Sequence, residues 1–332
     1  DPTRSSACQK RGWVDRMKQL LIFGVGGFVG RYLAEEFRNS GYDVYGTDIV
    51  QTPSIPGYVR FLQCDILNAQ AVAELIEAVR PTHIINLAAI SSVAQSWKQP
   101  QKTIAVNVEG TLNILEGTRK NNLSPKVLMI GSSEEYAICD KPIREDFTLA
   151  ANNPYGISKT MQERFLGLYR ERYQMQIYQV RSFNHTGVGQ SSSFVLAGWC
   201  DQAAEIEISG RPGILKVGNL DVRRDFSDVR DVVRAYRMVI ESDDCHTVYN
   251  VGSGTAYSLR QMVKCIISFC KQPIGIQITP ELFRPADNPI ICCDHQQITE
   301  KLGWKPRYTL EDTLQQMFES SKQKHLERRI EQ

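Results

Sequence analysis

A tyrosine and a lysine stand one helical turn apart in N-P-Y-G-I-S-K, residues 153–159. On a helix, Tyr155 and Lys159 then share a face. A phenol titrates at about 10, so useful proton exchange near neutrality requires its pKa to fall by about three pH units, about 4 kcal/mol of differential stabilisation. A neighbouring ammonium favours the phenolate, and Lys159 is placed to supply it. With 13 tyrosines in the chain, chance alone yields about one such pair, so its meaning rests on what surrounds it. Upstream, the apolar run K-V-L-M-I-G-S ends in Ser132, where a strand's carboxyl end would face a ligand crevice. Ser132 could donate to the same substrate oxygen as Tyr155. Strand alternation puts Ser132 and Glu134 on one side and Ser133 on the other.

The elements that must position these groups are legible as a rhythm. Short apolar runs at 19–24, 43–49, 59–66, 83–89, 126–132, 176–183 and 247–252 alternate with amphipathic stretches near 28–40, 68–80, 103–122, 155–173 and 228–241. Strand then helix, repeated, predicts an α/β fold: a doubly wound, Rossmann-type parallel sheet. After about residue 185 the pattern loosens into a smaller α/β domain with frequent Gly and Pro. The expected division is 17–184 plus 226–255 for the dinucleotide-binding domain, and 185–225 plus 256–320 for the substrate domain.

The first strand runs into G-V-G-G-F-V-G. Between a strand and a helix, Gly24, Gly27 and Gly30 read as a dinucleotide fingerprint: a tight turn, backbone access to the pyrophosphate, and close helix packing. The helix that follows offers its N-terminus to the phosphates. Asp48 ends the second strand, 18 residues past Gly30. A carboxylate there accepts from both ribose hydroxyls and repels a 2′-phosphate, which favours NAD(H) and leaves NADP(H) possible. Asp65 could reach the adenine edge or cap the next helix.

Composition narrows the class. The 332 residues carry a net charge of +2, which argues against nucleic-acid or membrane partners. No apolar run approaches the ~20 residues of a membrane span. The nine cysteines form no C-x-x-C pair and suggest reduced thiols in a cytoplasmic compartment, with no metal site. Residues 1–16 read as a disordered extension or tag, with Met17 the expected native start. The basic residues near both ends, Lys322, Lys324, Arg328 and Arg329 among them, read as solvated termini.

Together these segments resemble the extended short-chain dehydrogenase/reductase family, over essentially all of 17–320. N-L-A-A (86–89), N-V-E-G-T (107–111) and F-N-H (183–185) agree with it. Within the family the likeness is to GDP-4-keto-6-deoxy-mannose reductases, carried by S-S-V-A-Q-S-W (91–97), G-S-S-E-E-Y (131–136), S-F-N-H-T-G-V-G-Q (182–190), K-V-G-N-L-D-V-R-R-D-F-S-D-V-R-D (216–231) and R-P-A-D-N-P (284–289). Two positions depart from the family pattern: Asn86 stands where His is frequent, and Ala137 replaces the Gly usual after Tyr136.

The resemblance implies a nicotinamide cofactor held by Gly24, Gly27, Phe28, Val29, Gly30, Asp48, Asp65, Ile66, Leu87, Ala88, Ala89, Asn107, Tyr155 and Lys159. It implies a nucleotide-sugar held by Ser91, Ser133, Asn184, Val195, Lys216, Arg224 and Arg284; Asp287 either pairs with Arg284 or binds ribose. Arginine suits a pyrophosphate through bidentate, permanently charged contacts. Ser132, Tyr155 and Lys159 would reduce a 4-keto sugar. The alternative is a GDP-mannose 4,6-dehydratase, in which Glu134 would be the base at the sugar's 5-position; another nucleotide-sugar epimerase or ketoreductase ranks behind. A cofactor-sensing protein without catalysis would be expected to lack the Tyr or the Lys. By analogy alone, helices 103–122 and 155–173 would pair two copies into a homodimer.

Overall fold

The computed structural model describes residues 17–283 and 288–330. The expectations for residues 1–16, Arg284 and Asp287 lie outside the described residues. In chain order the elements are β1 (Gln19–Phe23), α1 (Phe28–Asn39), β2 (Asp43–Asp48), β3 (Arg60–Gln63), α2 (Ala69–Val79), β4 (His83–Asn86), α3 (Val93–Lys98), α4 (Pro100–Ile104), α5 (Gly110–Lys120) and β5 (Lys126–Ser132). There follow α6 (Pro154–Tyr173), β6 (Ile177–Ser182), β7 (Asn184–Thr186), α7 (Val195–Ser209), β8 (Gly213–Val217), β9 (Arg223–Asp228), α8 (Val229–Glu241) and β10 (Val248–Val251). The chain closes with β11 (Ala256–Ser258), α9 (Leu259–Ser268), β12 (Ile274–Ile278), β13 (Ile290–Ile291), α10 (Gln296–Leu302) and α11 (Leu310–Ile330).

Alternation along β1 sets the layers. Leu20 and Ile22 pack on one face beneath α1 and α8, while Leu21 and Phe23 pack on the other beneath α2, α5 and α6. Each such fully buried side chain is worth about 1.5–3 kcal/mol. The result is a seven-stranded parallel sheet in the order β10-β6-β5-β4-β1-β2-β3, a doubly wound Rossmann sheet. Its order reverses between β1 and β4, and ligands of such sheets bind at the carboxyl edge of that switch point. The loops after β1, β4 and β5 meet there.

A third cluster gathers Leu196, Trp199, Leu215, Val217, Met262, Val263, Ile266, Leu314 and Phe318 from α7, β8, α9 and α11. Among the described residues β8 pairs with β12 alone, and β9 pairs with β7, β11 and β13. The chain then returns to the sheet: Ile298 of α10 and Trp304 join the cluster under α1 and α8. The basic C-terminal residues Lys322, Lys324, Arg328 and Arg329 ride on α11, which continues to Ile330, so that expected tail is a helix. Among the described residues, no helix is long and apolar enough to cross a membrane. No group of three or more His, Cys, Asp or Glu among them could hold a metal ion.

Candidate active site

The junction of β5 and α6 is built by N-P-Y-G. Asn153 is the cap of α6: its Oδ1 accepts from the Gly156 amide at 2.9 Å. Pro154, at the first helical position, has no N–H to leave unpaired. The Tyr155 amide donates to Ser96 Oγ at 3.1 Å. A Cβ on Gly156 would lie 2.2 Å from the Glu134 carbonyl oxygen, so only glycine lets α6 start against the end of β5. Asn153 Nδ2 also donates to Glu134 Oε2 at 2.9 Å, tying that carboxylate to the helix cap.

The strand alternation expected past Ser132 does not continue. Ser133–Glu135 forms a single 3₁₀ turn in which Ser132 Oγ accepts from the Glu134 amide at 3.1 Å. The turn rotates Ser133 and Glu135 inward and leaves Glu134 half-buried at the crevice. Glu135, absent from the sequence-based candidates, is fully buried. The Ser132 hydroxyl lies near the Tyr155 phenol and acts to lower its pKa.

The charge relation between Tyr155 and Lys159 also differs from expectation. Tyr155 is partly exposed along the crevice, yet its phenol is desolvated, and this burial pushes its pKa above the ordinary value. Ser132 counteracts that rise, while Glu135 and Glu134 add to it. Lys159 reaches the strand instead. Its Nζ turns down to donate to Ile130 O at 2.8 Å and to Gln162 Oε1 at 3.2 Å. Burial lowers the Lys159 pKa to about 8, opposed by the charge of Glu135. As arranged, the phenol keeps its proton.

Gly24 has φ +80°, and a Cβ there would lie 2.6 Å from the Ala88 amide nitrogen. A Cβ on Gly30 would lie 2.1 Å from Val25 O. α1 begins at Phe28 and Val29 after Gly27, with no side-chain cap on its free amides. Asp48 holds the loop from below: its Oδ2 accepts from the Gly26 amide at 3.0 Å and its Oδ1 from Ile49 at 2.8 Å. Asn86 closes the far side, with Oδ1 accepting from Ala88 at 3.0 Å, so the residue that replaces His orders the Leu87–Ala89 loop. A tight, uncapped turn with a carboxylate at the next strand end suits a nicotinamide dinucleotide.

Other candidates have structural commitments. Asp65 is exposed and accepts from the Leu67 amide at 2.9 Å, while Asn68 is the residue that caps α2. Ile66 is buried and packs against Gly110. Asn107 lies in a π-helical segment, Ala105–Glu109, between α4 and α5. Its amide is consumed by Ile90, through N–H at 2.8 Å and O at 3.1 Å, and by Ser158 Oγ at 2.9 Å. It therefore pins the loop after β4 to α6.

The substrate candidates spread over the far side. Asn184 begins β7, Val195 opens α7 against the third cluster, and Lys216 is exposed on β8. Arg224 is buried on β9 and donates from Nη1 to Asn288 O at 2.7 Å and Arg223 O at 2.9 Å. Ser91 is exposed beside Ser92, which caps α3. The site thus spans the sheet's carboxyl edge and the smaller cluster. The model of the GDP-mannose 4,6 dehydratase family matches residues 21–317.

The chain belongs to this family. Among its relatives, a GDP-6-deoxy-D-mannose reductase of Pseudomonas aeruginosa is 28% identical over 90% of this chain and 95% of that one. A GDP-mannose 4,6-dehydratase of Vibrio cholerae is also 28% identical, over 90% and 92%. The structure of RMD from Pseudomonas aeruginosa complexed with NADPH superposes with a TM-score of 0.79 at 26% identity, covering 93% of this chain and 98% of that chain. The UDP-glucose 4-epimerase of Thermotoga maritima, 24% identical with a TM-score of 0.83 over 92% and 99%, shares the fold. The family is that of an NAD(P)-dependent enzyme of the extended short-chain dehydrogenase/reductase type.

Three residues beneath the site escaped the sequence reading: Glu135, Glu163 and Arg181. Arg181 is buried in β6 and forks onto Glu163, with Nε to Oε2 at 3.0 Å and Nη2 to Oε1 at 2.5 Å. Its Nη1 donates to the Tyr136 hydroxyl at 2.7 Å. An arginine inside an apolar strand run was the available signal, since such a residue must be paired when buried.

Proposed function

We propose that this chain acts on GDP-sugars and reduces the 4-keto group of a GDP-4-keto-6-deoxyhexose, giving a GDP-6-deoxyhexose such as GDP-D-rhamnose. The observation that carries this reading is the seating of Tyr155 in the first turn of α6, against the carboxyl end of β5 where Ser132 stands near its phenol. A reduction needs a proton donor at the carbonyl oxygen, and a protonated phenol is one. Bound NADH or NADPH would supply the hydride. Ser132 orients and polarises the carbonyl, Tyr155 delivers the proton to its oxygen, and Lys159 offers the buried positive charge that holds the developing alkoxide and the cofactor ribose. Gly24, Gly27 and Gly30 with the amides of Phe28 and Val29 hold the pyrophosphate, and Asp48 the adenosine ribose, which favours NADH. Asn184, Lys216 and Arg224 are assigned to the nucleotide diphosphate. Arginine and lysine there match its charge.

The second reading is the 4,6-dehydratase, favoured by Glu134 beside Ser132 and Tyr155, by one of the relatives above and by the family model. Against it, one oxygen of the Glu134 carboxylate is taken by Asn153. The deciding experiment follows nicotinamide absorbance with GDP-4-keto-6-deoxy-mannose, NADH and NADPH being supplied in parallel. Stoichiometric oxidation, faster with NADH, is expected. Conversion of GDP-mannose to its 4-keto product without added reductant would replace this reading with the dehydratase.

A further inference from the structure

Beneath Ser132, Tyr155 and Lys159 lies an acidic pair that the chemistry above does not use. Glu135 is fully buried. Its Oε1 accepts from the Ser132 amide at 2.7 Å, which ties the 3₁₀ turn to the strand end. Its Oε2 is buried and meets no donor among the described residues. The carboxyl of Glu163 on α6 is in hydrogen-bond contact with it. Glu163 is otherwise satisfied by the fork of Arg181 and by the Gln179 amide. Two carboxylates have no proton to place between them, so a hydrogen bond in such a pair requires one group to be an acid. Glu163 balances Arg181, which leaves the proton on Glu135.

We propose that Glu135 and Glu163 share one proton, and that Glu135 is a positioning residue: neutral at neutral pH, it fixes the Ser132 amide and becomes the counter-charge of Lys159 when it ionises. The groups that face it are Glu163 and Lys159 on α6, Arg181 on β6, and Tyr155 at the start of α6, with Glu134 in its own turn. Burial first, and then the charge of Glu163, hold the Glu135 carboxyl well above the carboxylate range. The same ionised carboxylate sustains the Lys159 proton. As pH rises, the acid therefore gives up its proton to solvent and acquires the negative charge that keeps the neighbouring ammonium charged. The consequence for turnover rests on the reductase or dehydratase reading; the protonation itself does not.

The test is infrared difference spectroscopy of the whole protein, with Glu135→Gln as the partner variant, because glutamine keeps an acceptor for Ser132 and supplies a donor toward Glu163. A carboxylic-acid carbonyl band is expected in the wild type at neutral pH, fading on alkaline titration and absent from E135Q. Melting curves give the second readout. A raised folded-state pKa contributes stability that is full below the ordinary carboxyl pKa and lost as pH rises through the folded value. The melting temperature of the wild type relative to E135Q should therefore fall across that window. In turnover, the alkaline limb of E135Q should move to lower pH by about one unit, a tenfold change in proton affinity at Lys159. Absence of the acid band in the wild type, or a melting difference flat with pH, would overturn the proposal. Neither readout needs substrate, so a wrong assignment of the reaction leaves both intact, and the wild-type titration decides alone if E135Q fails to fold.

Discussion

Tyr155 has two oxygen neighbours in the chemistry: that of Ser132, which acts on its phenol, and the substrate oxygen it would serve. Removing only its hydroxyl, as in Tyr155→Phe, leaves the ring and its packing. Turnover should then fall by about 10²–10⁴-fold, the range for a lost general acid, while cofactor affinity stays within about twofold. Single-turnover kinetics and a fluorescence titration of NADH measure the two, and turnover surviving in the phenylalanine variant would remove Tyr155 from the catalytic role. Lys159 sets a second expectation. Burial lowers its pKa to about 8, so the ammonium is present below that pH and lost above it. The pH profile of kcat/KM, which reports the free enzyme, should fall on the alkaline side at about 8. A profile flat to pH 10, about the ordinary lysine range, would mean that the charge is not used. Residue types alone placed Ser132, Tyr155 and Lys159 at one site, but not their charge states. Those depend on where Nζ turns, and its partners Ile130 and Gln162 are set by the packing of α6 on β5.

At the scale of elements, the periods of the sequence carry far. All seven runs became strands of one parallel sheet; central strands such as β1 and β5 are buried on both faces and so apolar nearly throughout, whereas the edge strand β3 is largely exposed. Two features lay beyond any period. The 3₁₀ turn Ser133–Glu135 reverses which of two adjacent glutamates is buried, and E-E carries no local preference between them. The π segment Ala105–Glu109 offsets the helix so that Asn107 reaches Ile90 and Ser158, a contact made across 17 and 51 residues. Such bulges are single-turn features answering tertiary partners, not propensity. The cap of α6 provides the measurable consequence. Asn153→Ala removes the acceptor for Gly156 and the donor for Glu134 together. A stability loss of about 0.5–2 kcal/mol is expected from the cap alone. Because the freed Glu134 no longer has a fixed orientation, kcat should fall as well, whereas a cap acting only on stability would leave kcat unchanged at temperatures below melting. Denaturant unfolding and steady-state kinetics on one preparation separate the two.

For the whole molecule, the return of the chain to the sheet is the least legible step. Trp304 is buried and donates from Nε1 to Asp231 O at 3.0 Å, while Asp231 Oδ2 accepts from the Arg307 and Tyr308 amides at 2.8 and 3.0 Å. Nothing local to residues 304–308 announces a partner more than 70 positions away, so the sequence reading left them with the smaller domain. The same contact clamps the approach to α11 onto α8, and with it the cluster that carries Val195. Association is a question at this scale too. Ile157, Met161 and Leu168 remain 45%, 39% and 59% exposed along α6, and their spacing places them on one side of the helix, away from the buried Ser158, Gln162 and Leu166. An apolar stripe left outside by a well-packed helix favours a protein partner. A second copy of this chain, pairing α6 with α6 and aligning α5 beside it, supplies an identical stripe by two-fold symmetry, since an isologous interface needs only one self-complementary patch. A homodimer is therefore expected at micromolar concentration in sedimentation velocity. Leu168→Asp should shift it toward monomer, because the stripe would then have to bury a carboxylate in place of an apolar side chain, a cost that Arg164 and Arg172, one turn away on either side, offset only in part. The folded monomer should keep its melting behaviour, as Leu168 makes no contribution to the buried clusters. A wild-type monomer at that concentration, or a dimer unmoved by Leu168→Asp, would place association elsewhere and leave the stripe on α6 as ordinary surface.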